Sequence, residues 1–215
     1  MRFGPPTSSA LALLATGAMT ACAAWAAQAG APARGAWTQG GHATRARAAS
    51  ARLAYSRASA NVVQAQPPAG TCHARGGGLY ELPDPRCTPG ALNPAVTQSH
   101  IRATICASGW TSTVRPREPV SEPEKFASLR AYGASGRVSA YEYDHLVPLE
   151  LGGAVNDSRN LWPEPDYAAR DGYYLNPKDR LERVLNRLVC AGEMTLAGAQ
   201  GLIAAGWVSA YRSYG

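Results

Sequence analysis

A short segment, Tyr141–Pro163, constrains the fold of this chain more than any other part of the sequence. Its first half is rich in Tyr, Val and Leu and carries the adjacent pair Asp144 and His145, which predicts a strand. Two adjacent glycines then predict a turn, and the residues after Asn160 predict a second short strand. A β-hairpin over about residues 138–163 therefore places the Asp-His pair on one strand and Asn160 on the other.

The charge of the chain is distributed unevenly. The 215 residues suit one domain with additional segments and carry a net charge of +6. Residues 1–60 contain six Arg and no acidic residue, whereas residues 61–215 contain the other 15 basic residues and all 15 acidic ones. Residues 61–215 therefore carry no net charge, and the overall charge of the chain is no evidence for a nucleic-acid-binding face on this part.

The N-terminus predicts export. Arg2 precedes an apolar run, Ala10–Ala27, and Ala-Gln-Ala at 27–29 suits a cleavage site, so residues 1–29 are predicted to be a signal peptide. The run is too rich in Ala for a membrane span. The residues before Cys22 loosely resemble a lipobox, which makes a lipoprotein the alternative, and a wrongly assigned start codon is another. We expect a secreted or periplasmic protein.

The domain is predicted to begin after a linker. Residues 30–70 consist mainly of Ala, Gly, Arg, Ser and Gln, and they cannot bury enough apolar surface to offset chain entropy. We therefore predict a flexible linker over 30–70 and a domain over 71–215. Capping residues predict helices that begin near Asn93, Ser121, Asn176 and Thr195.

The cysteines indicate a disulfide framework. Apart from Cys22 the chain has four, an even number, which indicates two disulfides in an exported protein. Zinc binding is the alternative, although the spacings include no C-x-x-C pair. Of the possible pairings we favour Cys72–Cys87 as a local loop and Cys106–Cys190 as a bridge between two predicted helix ends.

The hairpin segment resembles the core of HNH nucleases, the His-Me finger family. The blocks DHLVPLELGG, NLWPEP, Lys178–Glu182 and VCAG, together with CTPGALNPAVTQSHIRATIC and GWTSTVRP before them, resemble exported HNH-type proteins of bacteria. The resemblance covers roughly residues 86–211. It implies an α+β fold in which a ββα-metal core is flanked by helices, with the disulfides as staples.

The resemblance also implies roles for individual residues. His145 would be the general base that activates a water, and Asp144 would hold a divalent metal ion, Mg²⁺ or alternatively Mn²⁺. Asn160 would orient the loop or His145. The third position corresponds to Asn176, a second metal ligand that also caps a helix, which gives an H-N-N variant. The other carboxylates available as metal ligands are Glu150 and Asp157.

Basic residues near these positions are candidates for substrate binding. Arg159, Lys178 and Arg180 are predicted to hold phosphate oxygens. Lys178 also lies four residues before Glu182, which favours an ion pair on the helix surface over a catalytic role. The tryptophans are expected in the core rather than stacked on bases: Trp110, Trp162 and Trp207.

The sequence therefore leads to one principal hypothesis and one from a different class. The first is an exported metal-dependent HNH-type endonuclease that hydrolyses phosphodiester bonds of nucleic acid, with DNA favoured over RNA. The second is a non-catalytic, disulfide-stabilised binding or structural module on the same scaffold, since folds are reused. A toxin delivered to competitors would share the nuclease chemistry. Catalysis requires Asp144, His145 and a third oxygen ligand to converge on one open cleft.

Overall fold

The computed structural model describes residues 53–167 and 176–215 and shows a mixed α+β chain. The predicted signal peptide and most of the predicted linker lie outside these residues. None of the helices among the described residues combines the length and the apolar character that a membrane span needs.

Two small sheets are present among the described residues. Strand β1, Ala54–Tyr55, pairs in parallel with β2, Ala91–Leu92. Strand β3, Tyr141–His145, pairs antiparallel with β4, Leu161–Pro165. The predicted hairpin therefore forms, but β3 is shorter than the predicted strand because residues 138–140 form a 3₁₀ turn before it.

Four α-helices are described: α1, Trp110–Val114; α2, Glu118–Ala131; α3, Pro177–Ala191; and α4, Leu196–Tyr214. The predicted start of α3 is confirmed, with Asn176 at the N-cap. The predicted start of α4 is also confirmed, because Thr195 Oγ1 accepts a hydrogen bond from the Gly198 N–H at 3.1 Å.

Two helix predictions are wrong. Asn93 starts no α-helix, and only a 3₁₀ helix, Gln98–Ala103, follows it. The Asn93 side chain accepts a hydrogen bond from the Ala95 N–H at 3.0 Å, a local turn that competes with helix initiation. Helix α2 begins at Glu118, before the predicted start at Ser121, because a proline fits its first turn.

Helices α3 and α4 pack together and cover the loop between β3 and β4. Helix α3 contributes Leu181, Leu185 and Val189 to the core, and each of these side chains is fully buried. Trp162 on β4 and Trp207 on α4 are also buried, which confirms the prediction that they are core residues. Trp110 is partly buried against the same core.

The end of the predicted linker is held against the domain. Leu53 belongs to the hydrophobic core. The Asn156 Nδ2 donates to the Ser59 carbonyl at 3.0 Å, and the Gln64 N–H donates to Glu124 Oε1 at 2.6 Å. The prediction of a flexible linker is therefore wrong for residues 53–70, because their backbone is bound by buried polar side chains of the domain.

Both predicted disulfide pairings are present. Cys72–Cys87 closes a separation of 15 residues with a Cα–Cα distance of 5.9 Å. Cys106–Cys190 spans 84 residues with a Cα–Cα distance of 5.7 Å. Cys190 lies in the last turn of α3 as predicted, whereas Cys106 follows the 3₁₀ helix rather than ending an α-helix. The long bridge ties this N-terminal turn to α3.

Candidate active site

His145 ends strand β3 and is almost fully buried, with 5% of its surface exposed. Its Nε2 lies 3.1 Å from the Val155 carbonyl oxygen. A carbonyl only accepts hydrogen bonds, so Nε2 carries the proton and Nδ1 keeps a free lone pair. None of the described residues hydrogen-bonds Nδ1. The loop between the strands therefore sets the tautomer that a general base requires.

The charge state of His145 suits the same role. Burial lowers the pKa of His145 to about 4, although the neighbouring Asp144 opposes this shift. The Arg115 guanidinium contributes to the lowering of the pKa. The imidazole is therefore neutral near pH 7 and able to accept a proton.

Asn160 positions the loop that orients His145. Its side chain is fully buried and accepts a hydrogen bond from the Val147 N–H at 3.0 Å. Its Nδ2 donates to the carbonyls of Val147 at 2.9 Å and Ala154 at 3.1 Å. Ala154 precedes Val155, the residue whose carbonyl binds His145. Asn160 therefore binds the loop that holds His145, and none of these bonds is made to the imidazole itself.

His145 forms part of the wall of two cavities. The larger, about 340 Å³, lies between the hairpin and the start of α2 and includes Lys125 and Tyr143. The smaller, about 140 Å³, lies towards α3 and includes Asp144 and Arg183. Arg115 lines both cavities, and no ion pair to it is found among the described residues. Sequence reasoning did not single out Arg115, whose only signal was its place in the block GWTSTVRP.

The smaller cavity is lined by acidic as well as basic side chains. Glu142, Asp144 and Asp179 line it beside His145. Burial, and then the negative charges of Asp144 and Asp179, raise the pKa of Glu142 to about 7. Burial also raises the pKa of Asp179, where the charge of Asp144 again adds to the effect. Glu142 is therefore a carboxyl group that retains a proton close to neutral pH.

Lys178 is in the interior rather than on the helix surface. Its side chain is fully buried, and its ammonium donates to Asp144, to Glu182 Oε1 at 2.5 Å and to the His145 carbonyl at 2.7 Å. The predicted surface pair with Glu182 is thus a buried pair. The predicted phosphate contact of Lys178 is also wrong, because protein oxygens already accept from its ammonium and no part of it reaches solvent.

The predicted metal ligands Asp144 and Asn176 have different polar partners in the described structure. Asp144 pairs with Lys178, and burial alone would raise the pKa of Asp144, but the Lys178 charge lowers it overall. Asn176 instead approaches Glu142, with 3.5 Å between Nδ2 and Oε1, and its N–H donates to Asp179 Oδ2 at 3.1 Å. Within residues 53–167 and 176–215 no group of His, Cys, Asp and Glu is arranged to hold a metal ion. Asp144 is therefore already paired with a cation that belongs to the chain.

The remaining predicted residues divide between the cavities and the surface. Arg159 pairs with Asp157 through Nε at 3.0 Å and Nη2 at 2.7 Å, which ties both side chains into the turn before β4. Arg180 is exposed on α3 and lines neither cavity beside His145. Glu150 does line the smaller cavity. The basic side chains that line the cavities beside His145 are therefore Arg115, Lys125 and Arg183, whereas Lys178 contacts the His145 carbonyl from the interior.

Comparison of the chain with known protein families, with curated proteins and with solved structures finds no match.

Proposed function

We propose that this chain is an exported endonuclease of the HNH type that hydrolyses phosphodiester bonds of nucleic acid. The observation that carries the proposal is the hydrogen bond between His145 Nε2 and the Val155 carbonyl, which leaves Nδ1 as a free acceptor. Hairpin β3–β4 and helix α3 support a ββα core of this type, because Lys178 at the start of α3 contacts the end of β3. The two disulfides support an oxidising, exported environment.

The proposed chemistry begins with a water beside the imidazole. His145 Nδ1 accepts a proton from this water, and the resulting hydroxide attacks the phosphorus atom. Arg115, which lines both cavities next to His145, pairs with the phosphate oxygens and balances the negative charge that develops on them. Glu142 lines the smaller cavity and retains a proton near neutral pH, so it is the group placed to protonate the leaving oxygen.

The expected metal ion enters this proposal only as a condition to be tested. A bound Mg²⁺ would supply charge stabilisation at the phosphate. Because Asp144 is paired with the Lys178 ammonium, no step is assigned to such an ion. The groups that do converge on the cavities are the imidazole, the carboxyl of Glu142 and the guanidinium of Arg115.

The direct test uses the full chain, purified with its disulfides intact, incubated with plasmid DNA and separately with a structured RNA. Each substrate is assayed with Mg²⁺, with Mn²⁺ and with EDTA. Cleavage that increases with enzyme concentration and is absent from the variant His145→Ala supports the proposal. Absence of cleavage of both nucleic acids in all three conditions contradicts it and favours the non-catalytic module on the same scaffold.

A further inference from the structure

The Lys178 ammonium lies at the centre of an oxygen cluster drawn from three elements. Asp144 comes from β3, Glu164 from β4, and Glu182 from α3 itself. The ammonium donates to Asp144, to Glu182 and to the His145 carbonyl, and Glu164 Oε2 lies 3.8 Å away. Each of the three ammonium protons therefore has an oxygen acceptor.

We propose that the Lys178 ammonium occupies the position of a divalent cation in this core and that the cluster takes no metal ion while Lys178 is present. Carboxylates and a carbonyl are the hard oxygen donors that Mg²⁺ and Mn²⁺ prefer. Here the same donors converge on a cation that is covalently part of the chain. The charge of Asp144, the residue expected to bind the metal, is neutralised instead by the ammonium of Lys178 on α3.

The choice of lysine at this position supports the inference. The chain has 19 arginines and only two lysines, Lys125 and Lys178. A guanidinium is planar and wide, whereas an ammonium is a compact point charge with three donors that rotate to suit their acceptors. A closed cluster of oxygens that approach from three directions has room for a compact cation but not for a planar guanidinium. Lys178 is also fully buried, so no other cation reaches this centre without displacing it.

This assignment gives Lys178 a positioning role next to the candidate base. Its ammonium holds the His145 carbonyl at 2.7 Å and the adjacent Asp144 side chain at the same time. It therefore fixes the end of β3 against α3 without any ion from solution. The inference concerns cation binding and does not depend on whether the chain cleaves nucleic acid, so the two proposals fail in different assays.

The test is a titration of the full chain, stripped of metal by EDTA and dialysed, with MnCl₂ and separately with MgCl₂. Binding is measured by isothermal titration calorimetry and by the shift in the thermal unfolding midpoint. Wild type and the matched control Lys125→Ala are expected to show no saturable binding and no shift. Lys178→Ala is expected to gain saturable Mn²⁺ binding and an upward shift, because its carboxylates lose their counter-ion. The double variant Lys178→Ala with Asp144→Asn is expected to bind Mn²⁺ more weakly than Lys178→Ala.

Two outcomes overturn the inference. One is saturable Mn²⁺ or Mg²⁺ binding by wild type that Asp144→Asn abolishes, which would show that the cluster takes a metal despite Lys178. The other is a folded Lys178→Ala that gains no binding. If Lys178→Ala folds only when Mn²⁺ is present, as followed by circular dichroism, the result supports the inference. If it does not fold in either condition, the wild-type titration decides the question.

Discussion

The His145 imidazole donates from Nε2 to the Val155 carbonyl across 3.1 Å, so the loop between β3 and β4 holds the ring that ends β3. The acceptor that fixes the tautomer is a backbone carbonyl, so no side-chain substitution at Val155 removes it directly. Whether Nδ1 keeps a free lone pair therefore depends on the geometry of this loop. Asn160 holds the loop through its hydrogen bonds to Val147 and Ala154.

The pH dependence of stability should report the buried neutral imidazole. Because the folded pKa of His145, about 4, lies below its ordinary value of 6.5, the contribution is fully present above pH 6.5. It is lost as the pH falls from 6.5 through about 4. We expect wild type to lose on the order of 3 kcal/mol more than His145→Gln over this range. Urea unfolding of both proteins at pH 7 and pH 4 measures the difference.

Glu142 acts in the opposite sense and makes that comparison necessary. The pKa of Glu142 is raised to about 7, so its contribution is present below its ordinary value of 4.5 and is lost as the pH rises through about 7. Glu142 is present in both proteins. Subtracting the pH-dependent change in unfolding free energy of His145→Gln from that of wild type therefore removes the effect of Glu142. Parallel pH profiles for the two proteins would show that His145 has no lowered pKa.

Asn160→Ala should destabilise the protein and misplace His145. The substitution leaves the Val147 N–H and the Ala154 carbonyl without their buried partner. Each unsatisfied buried group costs about 1–3 kcal/mol. Asn93→Ala removes a less buried side-chain bond and is the matched control, with a smaller expected loss. Chemical denaturation measures both, and an equal loss in the two variants would contradict the structural role given to Asn160.

Arg115→Ala should weaken substrate binding and slow cleavage while leaving stability nearly unchanged. Arg115 is exposed, lines both cavities beside His145 and has no ion-pair partner among the described residues. Arg180→Ala removes the same charge from an exposed position on α3 that lines neither cavity. Steady-state kinetics on an oligonucleotide compares the two variants. If Arg180→Ala impaired cleavage as much as Arg115→Ala, the effect would be one of overall charge.

Removal of the long disulfide should cost more stability than removal of the short one. Cys106–Cys190 closes 84 residues and Cys72–Cys87 closes 15. The entropy that a disulfide removes from the unfolded chain increases with the length of the loop it closes, and loss of a native bridge costs about 2–5 kcal/mol. Paired Cys→Ala substitutions at each bridge, followed by urea unfolding, measure the order. Mass spectrometry of unreduced peptides checks the pairing itself.

The sequence was sufficient to predict the features set by local signals. The hairpin, the capped starts of α3 and α4, the buried Trp162 and Trp207, and the Cys72–Cys87 pairing follow from residue type and spacing. The Cys106–Cys190 pairing was also predicted, although Cys106 does not end the α-helix on which that prediction relied. Asn93 shows the limit of such signals, because the same side chain that caps a helix also closes a local turn. The packing of the surrounding chain decides whether Asn93 caps a helix or closes a turn.

The candidate site could be predicted only in part. His145 and Asn160 are adjacent to recognisable strand and turn patterns, and the structure brings them to one loop. The burial of Lys178 could not be predicted, because an i, i+4 pair with Glu182 has the same spacing on the surface and in the interior. Arg115 was missed because its approach to His145 depends on the packing of two segments distant in sequence.

The most direct test of the account compares cleavage of plasmid DNA and RNA by wild type, His145→Ala and His100→Ala in the same buffer and metal. His100 is exposed and remote from the hairpin in sequence, so its variant controls for the loss of any histidine. We expect the cleavage rate to fall about 10²–10⁴-fold in His145→Ala and to stay unchanged in His100→Ala. Equal rates for wild type and folded His145→Ala on both substrates would contradict the assignment of His145 as the general base.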